Sequence, residues 1–221
     1  MTDQPHRPDP EALAPVRSGL LSPALRRDLA DLNAQYLELG LTPSLDGDPR
    51  FGWSEPVRRC LLEADEATRA RVAAVPFALF ELVLPGGCLA TPPAGVEDSR
   101  APSGTAAWPG RCESFAHQAV FLARRLVEGE PLALRVVLGL SDAAQQWLAE
   151  CRLAQLAEVA ASPRAFRPRW RVHLRFWQTL LGAARRGSPG ALQWAHCIGL
   201  CLLDAADGDA APAPPRRRAR R

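Results

Sequence analysis

The chain has 221 residues and an apolar content of 47%, enough to bury one larger core or two small ones and too apolar for a chain disordered throughout. No stretch reaches the run of about 18 apolar residues that a membrane span needs, and the best candidate, Val72–Leu84, contains Glu81. The net charge of +3 hides a segregation: five arginines lie in Arg216–Arg221, and without them 22 basic residues face 24 acidic ones.

All 27 basic residues are arginine, and there is one asparagine (Asn33), one isoleucine (Ile198) and one tyrosine (Tyr36). This bias suits a GC-rich coding sequence and weakens arginine or alanine enrichment as evidence of function. The first twenty residues carry Asp3, Asp9, Glu11 and four prolines where a secretory leader would be apolar, so a cytoplasmic location is expected.

In chain order, Met1–Gly19 reads as a disordered start. Leu20–Leu84 reads as an N-terminal helical part. Its first helix is capped by Ser22 with Pro23 at the first position, shows Leu25, Leu29, Leu32, Tyr36 and Leu39 on one face, and is stopped by Gly40. Thr42–Trp53 reads as a loop. Ser54 caps a short helix to about Ala64, Asp65 caps Glu66–Ala74, and Pro76 breaks the pattern. Phe77–Leu84 is ambiguous between a buried helical turn and a short strand; with no partner strand visible, helix is favoured.

Pro85–Gly110 holds five prolines and several glycines without periodicity and reads as a linker or mobile loop. Arg111–Ala206 reads as a C-terminal helical bundle. Cys112–Glu128 puts Phe115, Ala119, Leu122 and Leu126 on one face. Pro131–Gly139 has proline at its start and glycine at its end. Ser141 and Asp142 open a helix whose apolar side runs from Trp147 to Val159. An irregular arginine-rich loop follows to Arg171, then a helix over Val172–Arg186 stopped by Gly187. The last helix, Pro189–Ala206, is apolar nearly all round and is expected at the buried centre of the bundle. Asp207–Arg221 reads as a basic disordered tail.

Chemistry-bearing patterns are few. The six cysteines form no CxxC pair and read as small core residues. Cys197 and Cys201 share a helix face beside His196, with His173 as a further ligand candidate, but loop-borne zinc spacing is missing, so no metal and no cofactor is expected. No nucleophile elbow or phosphate-binding glycine loop occurs, and Asp204, Asp207 and Asp209 lack the glutamate that would complete a calcium loop.

The clearest functional signal is charge. Between Val159 and Leu203 there is no acidic residue, and Pro163–Trp177 interleaves arginines with aromatic rings. Guanidinium groups neutralise phosphates and ring faces stack on bases. The competing reading makes the rings core anchors with arginines reaching outward. The candidate nucleic-acid or anionic-partner residues are Arg164, Arg167, Arg169, Trp170, Arg171, Arg175, Trp177, Arg185 and Arg186.

Leu122–Ala160 carries Leu122, Ala123, Arg125 and Leu126, then Leu138, Gly139 and Leu140, then Leu148 and Ala149, then Leu153 and Gln155; Leu192, Gln193 and His196 follow later. On these residues the segment resembles the flagellar transcriptional regulator subunit FlhD. The resemblance implies an all-helical regulator that works as an oligomer with a partner subunit at promoter DNA. That family's partner carries a cysteine zinc site, which has no counterpart here.

The expectation is therefore an all-α protein in two helical parts, non-enzymatic, acting as a regulator or adaptor by macromolecular binding. Its partners would be a protein or a second copy of the chain, or nucleic acid, and not a membrane. The alternatives are an enzyme or small-molecule-binding domain with a pocket near His117, His173 or His196, and a protein–protein adaptor without nucleic-acid contact.

Overall fold

The computed structural model describes residues 21–45, 51–85, 110–129, 131–170 and 173–208. The expectations for Met1–Gly19, for nearly all of the Pro85–Gly110 linker, for Arg171 and for the tail beyond 208 lie outside the described residues.

Helix α1 (Pro23–Leu41) begins as its sequence predicts: Ser22 Oγ accepts the Leu25 N–H at 3.3 Å, and Pro23 occupies the first turn. The predicted stripe is buried. Gly40, expected to stop the helix, lies inside it. A Cβ at Gly40 would sit 2.5 Å from Trp53 Cη2, so the missing side chain lets an indole ring lie on α1.

A 3-10 turn (Pro43–Leu45) leads towards α2 (Glu55–Leu62) and α3 (Glu66–Ala73). Asp65 caps α3 by accepting the Thr68 N–H at 2.7 Å, and hydrogen bonds from the Thr68 side chain and backbone hold its carboxyl below the usual carboxylate range.

Phe77–Leu84 departs from the favoured reading. It contains a strand, β1 (Phe80–Leu82), paired antiparallel with β2 (Phe166–Pro168), with Phe80 opposite Pro168, Glu81 opposite Arg167 and Leu82 opposite Phe166. All three β1 residues are buried, so no alternation of polar and apolar residues marks the strand in the sequence. Its partner lies inside the stretch expected to be an irregular loop.

Four helices follow: α4 (Gly110–Gly129), α5 (Pro131–Leu138), α6 (Asp142–Glu150) and α7 (Leu153–Ala161). The single helix expected from Ser141 to Val159 is two. Cys151 turns extended, and α7 restarts where the Arg152 N–H donates to Gln155 Oε1 at 2.8 Å. Helix α8 (Leu174–Arg186) ends on Gly187 at φ 61°, and α9 (Pro189–Gly208) packs principally on α8.

Among the described residues, then, the fold is nine α-helices and one two-stranded ribbon, an all-α architecture. The two helical parts expected from the sequence share one core. Tyr36 is its hub, with ring centroids 5.4 Å from Phe51, 5.7 Å from Trp53, 5.6 Å from Phe80, 6.0 Å from Phe115 and 6.2 Å from Phe166. Among the described residues, no helix is long and apolar enough to cross a membrane.

Candidate anionic-partner surface

The sequence places Arg164–Arg186 on one continuous basic stretch; the fold divides it. Arg167 lies on β2, and its Nε donates to Glu81 Oε2 across the ribbon at 2.5 Å. The Glu81 carboxylate is buried, so this arginine neutralises an internal charge. Arg169 Nη1 donates to Val137 O at 2.7 Å, near the C-terminal end of α5, and its guanidinium lies 5.5 Å from the Trp170 ring centroid.

Arg169 is one of several arginines used this way. Helix C-termini present carbonyls without intrahelical partners and a partial negative charge, and a guanidinium offers five donors. Arg71 reaches Ala184 O on α8 at 2.9 Å, Arg185 reaches Cys60 O on α2 at 3.2 Å, Arg69 reaches Ala64 O just past α2 at 2.8 Å, and Arg124 reaches Leu148 O on α6. In a chain without lysine, arginine ties helix ends to neighbouring elements.

Trp170 and Trp177 are both buried. Trp177 Nε1 donates to Trp170 O at 3.2 Å, and the rings belong to a run through Phe176, Phe77 and Trp53. Neither has an exposed face on which a base could stack, so the stacking role expected of them has no geometry behind it. The signal in the sequence was hydrophobic burial, which an aromatic residue between arginines carries equally well.

Arg164, Arg175, Arg185 and Arg186 remain exposed. Arg185 also faces Glu63 at 3.7 Å. Arg175 and Arg186 make no ion pair with a described residue. They are eleven positions apart on α8, which returns them to the same side of the helix about 16 Å apart. Arg175 lies in the first turn, where the helix dipole disfavours a cation. Gln178 is exposed between them, and no acidic residue occurs on α8.

Three of the four histidines, His117, His173 and His196, lie among the described residues. His117 on α4 bonds its own helix, Nδ1 lying 2.9 Å from Glu113 O. His173 caps α8 by position only, with its ring 6.0 Å from Trp170. His196 on α9 packs edge-on to Phe77 at 6.5 Å; its Nε2 is buried without a hydrogen-bond partner among the described residues, and desolvation pushes the imidazole below its ordinary range. Among the described residues, no group of three or more His, Cys, Asp or Glu side chains could hold a metal ion.

Of the fourteen positions quoted for the resemblance to FlhD, seven are buried (Leu122, Ala123, Leu126, Leu138, Gly139, Leu140 and Leu148), while Arg125, Ala149, Leu153 and Gln193 are exposed. No protein-family model, curated protein or solved structure matches this chain.

Proposed function

We propose that the protein is a non-enzymatic adaptor or regulator that binds an acidic surface of a partner protein through α8. The observation that carries this reading is the pair Arg175 and Arg186, exposed on one side of a helix free of acids, neither paired with a carboxylate among the described residues. A cation in the first turn of a helix is unfavourable at rest and is offset when an anion docks against it. Arg164 extends the exposed basic set.

An acidic protein face fits better than nucleic acid. Of the candidate arginines among the described residues only Arg164, Arg175, Arg185 and Arg186 are exposed, a small phosphate-neutralising set, and the burial of Trp170 and Trp177 removes base stacking. The resemblance of Leu122–Ala160 to FlhD favours a regulatory setting, with transcription control as its specific form.

The test is binding of a fluorescent polyglutamate-rich peptide and of a short DNA duplex at rising salt. Peptide binding that weakens with salt and drops on Arg175→Glu and Arg186→Glu supports the reading. Tighter binding of the duplex, sensitive to the same substitutions, would replace the protein partner with nucleic acid. Unchanged binding in both variants sinks the α8 site.

A further inference from the structure

Helix α9 was expected at the centre of the bundle, and it is not there. Ala195 is buried, and a Cβ at Gly199 would overlap the Phe77 ring, so one side is pressed onto the core. On the other side Trp194 is 64% exposed, and Cys197 and Cys201 are exposed too. With Gly190 these fall at four- and three-residue spacing, on one side of the helix. From Pro189 to Leu203 no residue carries a charge, about four helical turns. A solvated helix face is ordinarily polar, and this one holds a tryptophan between small residues.

We propose that this face is where two copies of the chain pair, with their α9 helices antiparallel about a two-fold axis near Cys197 and Ile198. The charge layout argues for that occupant. The neutral stretch is bounded by Arg185 and Arg186 just before α9, and by Asp204 and Asp207 in its last turns. An antiparallel second copy sets each acidic end against the basic turn and the positive helix N-terminus of its mate, at both ends at once. A parallel pair would stack like charges.

Shape agrees with charge. The same axis places Trp194 of each copy over Cys201 of the partner subunit, a large residue over a small one, twice. A two-fold interface has to be self-complementary in this way. Tryptophan in a small-residue pocket is a common energetic anchor of protein interfaces. The apolar face is separate from Arg175, but its charged rim takes in Arg186, so Arg175→Glu tests the α8 reading alone and Trp194→Glu tests the dimer alone.

The experiment is sedimentation velocity of the full chain over a wide concentration range, with iodoacetamide alkylation of Cys197 and Cys201 followed by peptide mass spectrometry. A reversible dimer is expected, with both thiols alkylated more slowly as concentration rises. Trp194→Glu should weaken the dimer by about tenfold or more while leaving the circular-dichroism melt in place, because the side chain is already solvated in the monomer. Asp207→Arg and Arg186→Asp should each weaken it, and the two together should restore it. A chain still monomeric at millimolar concentration overturns the proposal. So does a dimer indifferent to Trp194→Glu, or one that the double charge exchange fails to restore. If Trp194→Glu unfolds the chain, the alkylation rates of the wild type decide.

Discussion

The carboxamide of Asn33 on α1 is bonded to the backbone of Leu79: its Oδ1 accepts the Leu79 N–H at 2.9 Å. Its Nδ2 donates to Phe77 O and to Ala73 O, each at 3.0 Å. One fully buried side chain thus satisfies the end of α3 and the entry to β1, where the chain has left regular helix and its backbone groups lack local partners. Asn33→Leu strands one N–H and two carbonyls away from water, and should cost about 3 kcal/mol. Urea melts should show a lower midpoint with an unchanged slope; a midpoint within error of wild type would refute the role given to this residue.

Glu81 and Arg167 hold the two strands by a charge pair whose ends differ in exposure. The carboxylate is buried, and the arginine side chain is 38% exposed. Arg167→Ala leaves the carboxylate uncompensated and should cost roughly 3 kcal/mol. The double change Glu81→Gln with Arg167→Gln removes both charges and should cost clearly less than Arg167→Ala alone. Thermal melts of the three proteins check this, and equal losses in the single and double variants would contradict it.

Gly139 and Gly187 both adopt left-handed backbone, at φ 65° and 61°. Only Gly139 is also covered, by the Arg169 guanidinium that bonds Val137 O. At Gly187 the nearest atom to an added Cβ is 3.6 Å away, ordinary contact. Gly139→Asn should therefore cost about 2–3 kcal/mol, whereas Gly187→Asn should stay within about 1 kcal/mol, since asparagine tolerates this conformation. Guanidinium-chloride unfolding of both variants provides the comparison.

His196 gives the fold a pH dependence of known sign. Desolvation lowers its folded pKa below the ordinary 6.5, so the unfolded chain binds the proton more readily. Stability is unaffected well above 6.5, falls as pH drops below it, and levels off once the folded pKa is passed. Replacing His196 with leucine should flatten the profile of melting temperature between neutral and mildly acid pH. The Asp65 carboxyl, lowered by its bonds to Thr68, acts only in more acid solution, where stability falls below its ordinary 3.8.

Local chemistry was readable at most helix ends, although Ser54, expected to cap α2, holds the cap position without a side-chain cap bond. Ser22, Pro23, Asp65, Ser141 and Gly187 mark helix ends because caps and left-handed turns need particular residue types within three positions. What failed depends on distant partners. Gly40 looks like a stop signal until Trp53 is seen lying on it. Trp170 and Trp177 look like stacking rings until Phe77 and Phe176 cover them. The apolar sides of α9 look alike in sequence, and only the neighbouring helix decides which is buried. Asn33 did leave a trace: a lone carboxamide four residues after Leu29 and three before Tyr36 sits on the buried face, and such a group must find partners.

The β1–β2 ribbon joins residues 86 positions apart, Glu81 and Arg167. During synthesis the N-terminal helices emerge long before Phe115 and Phe166 exist to close around Tyr36. The nascent chain must carry Tyr36, Phe80 and an unpaired strand edge through that interval. Closure of so long a loop places the ribbon late in folding. Ribosome-stalled chains ending before Phe166 should engage chaperones that chains extended past α8 do not.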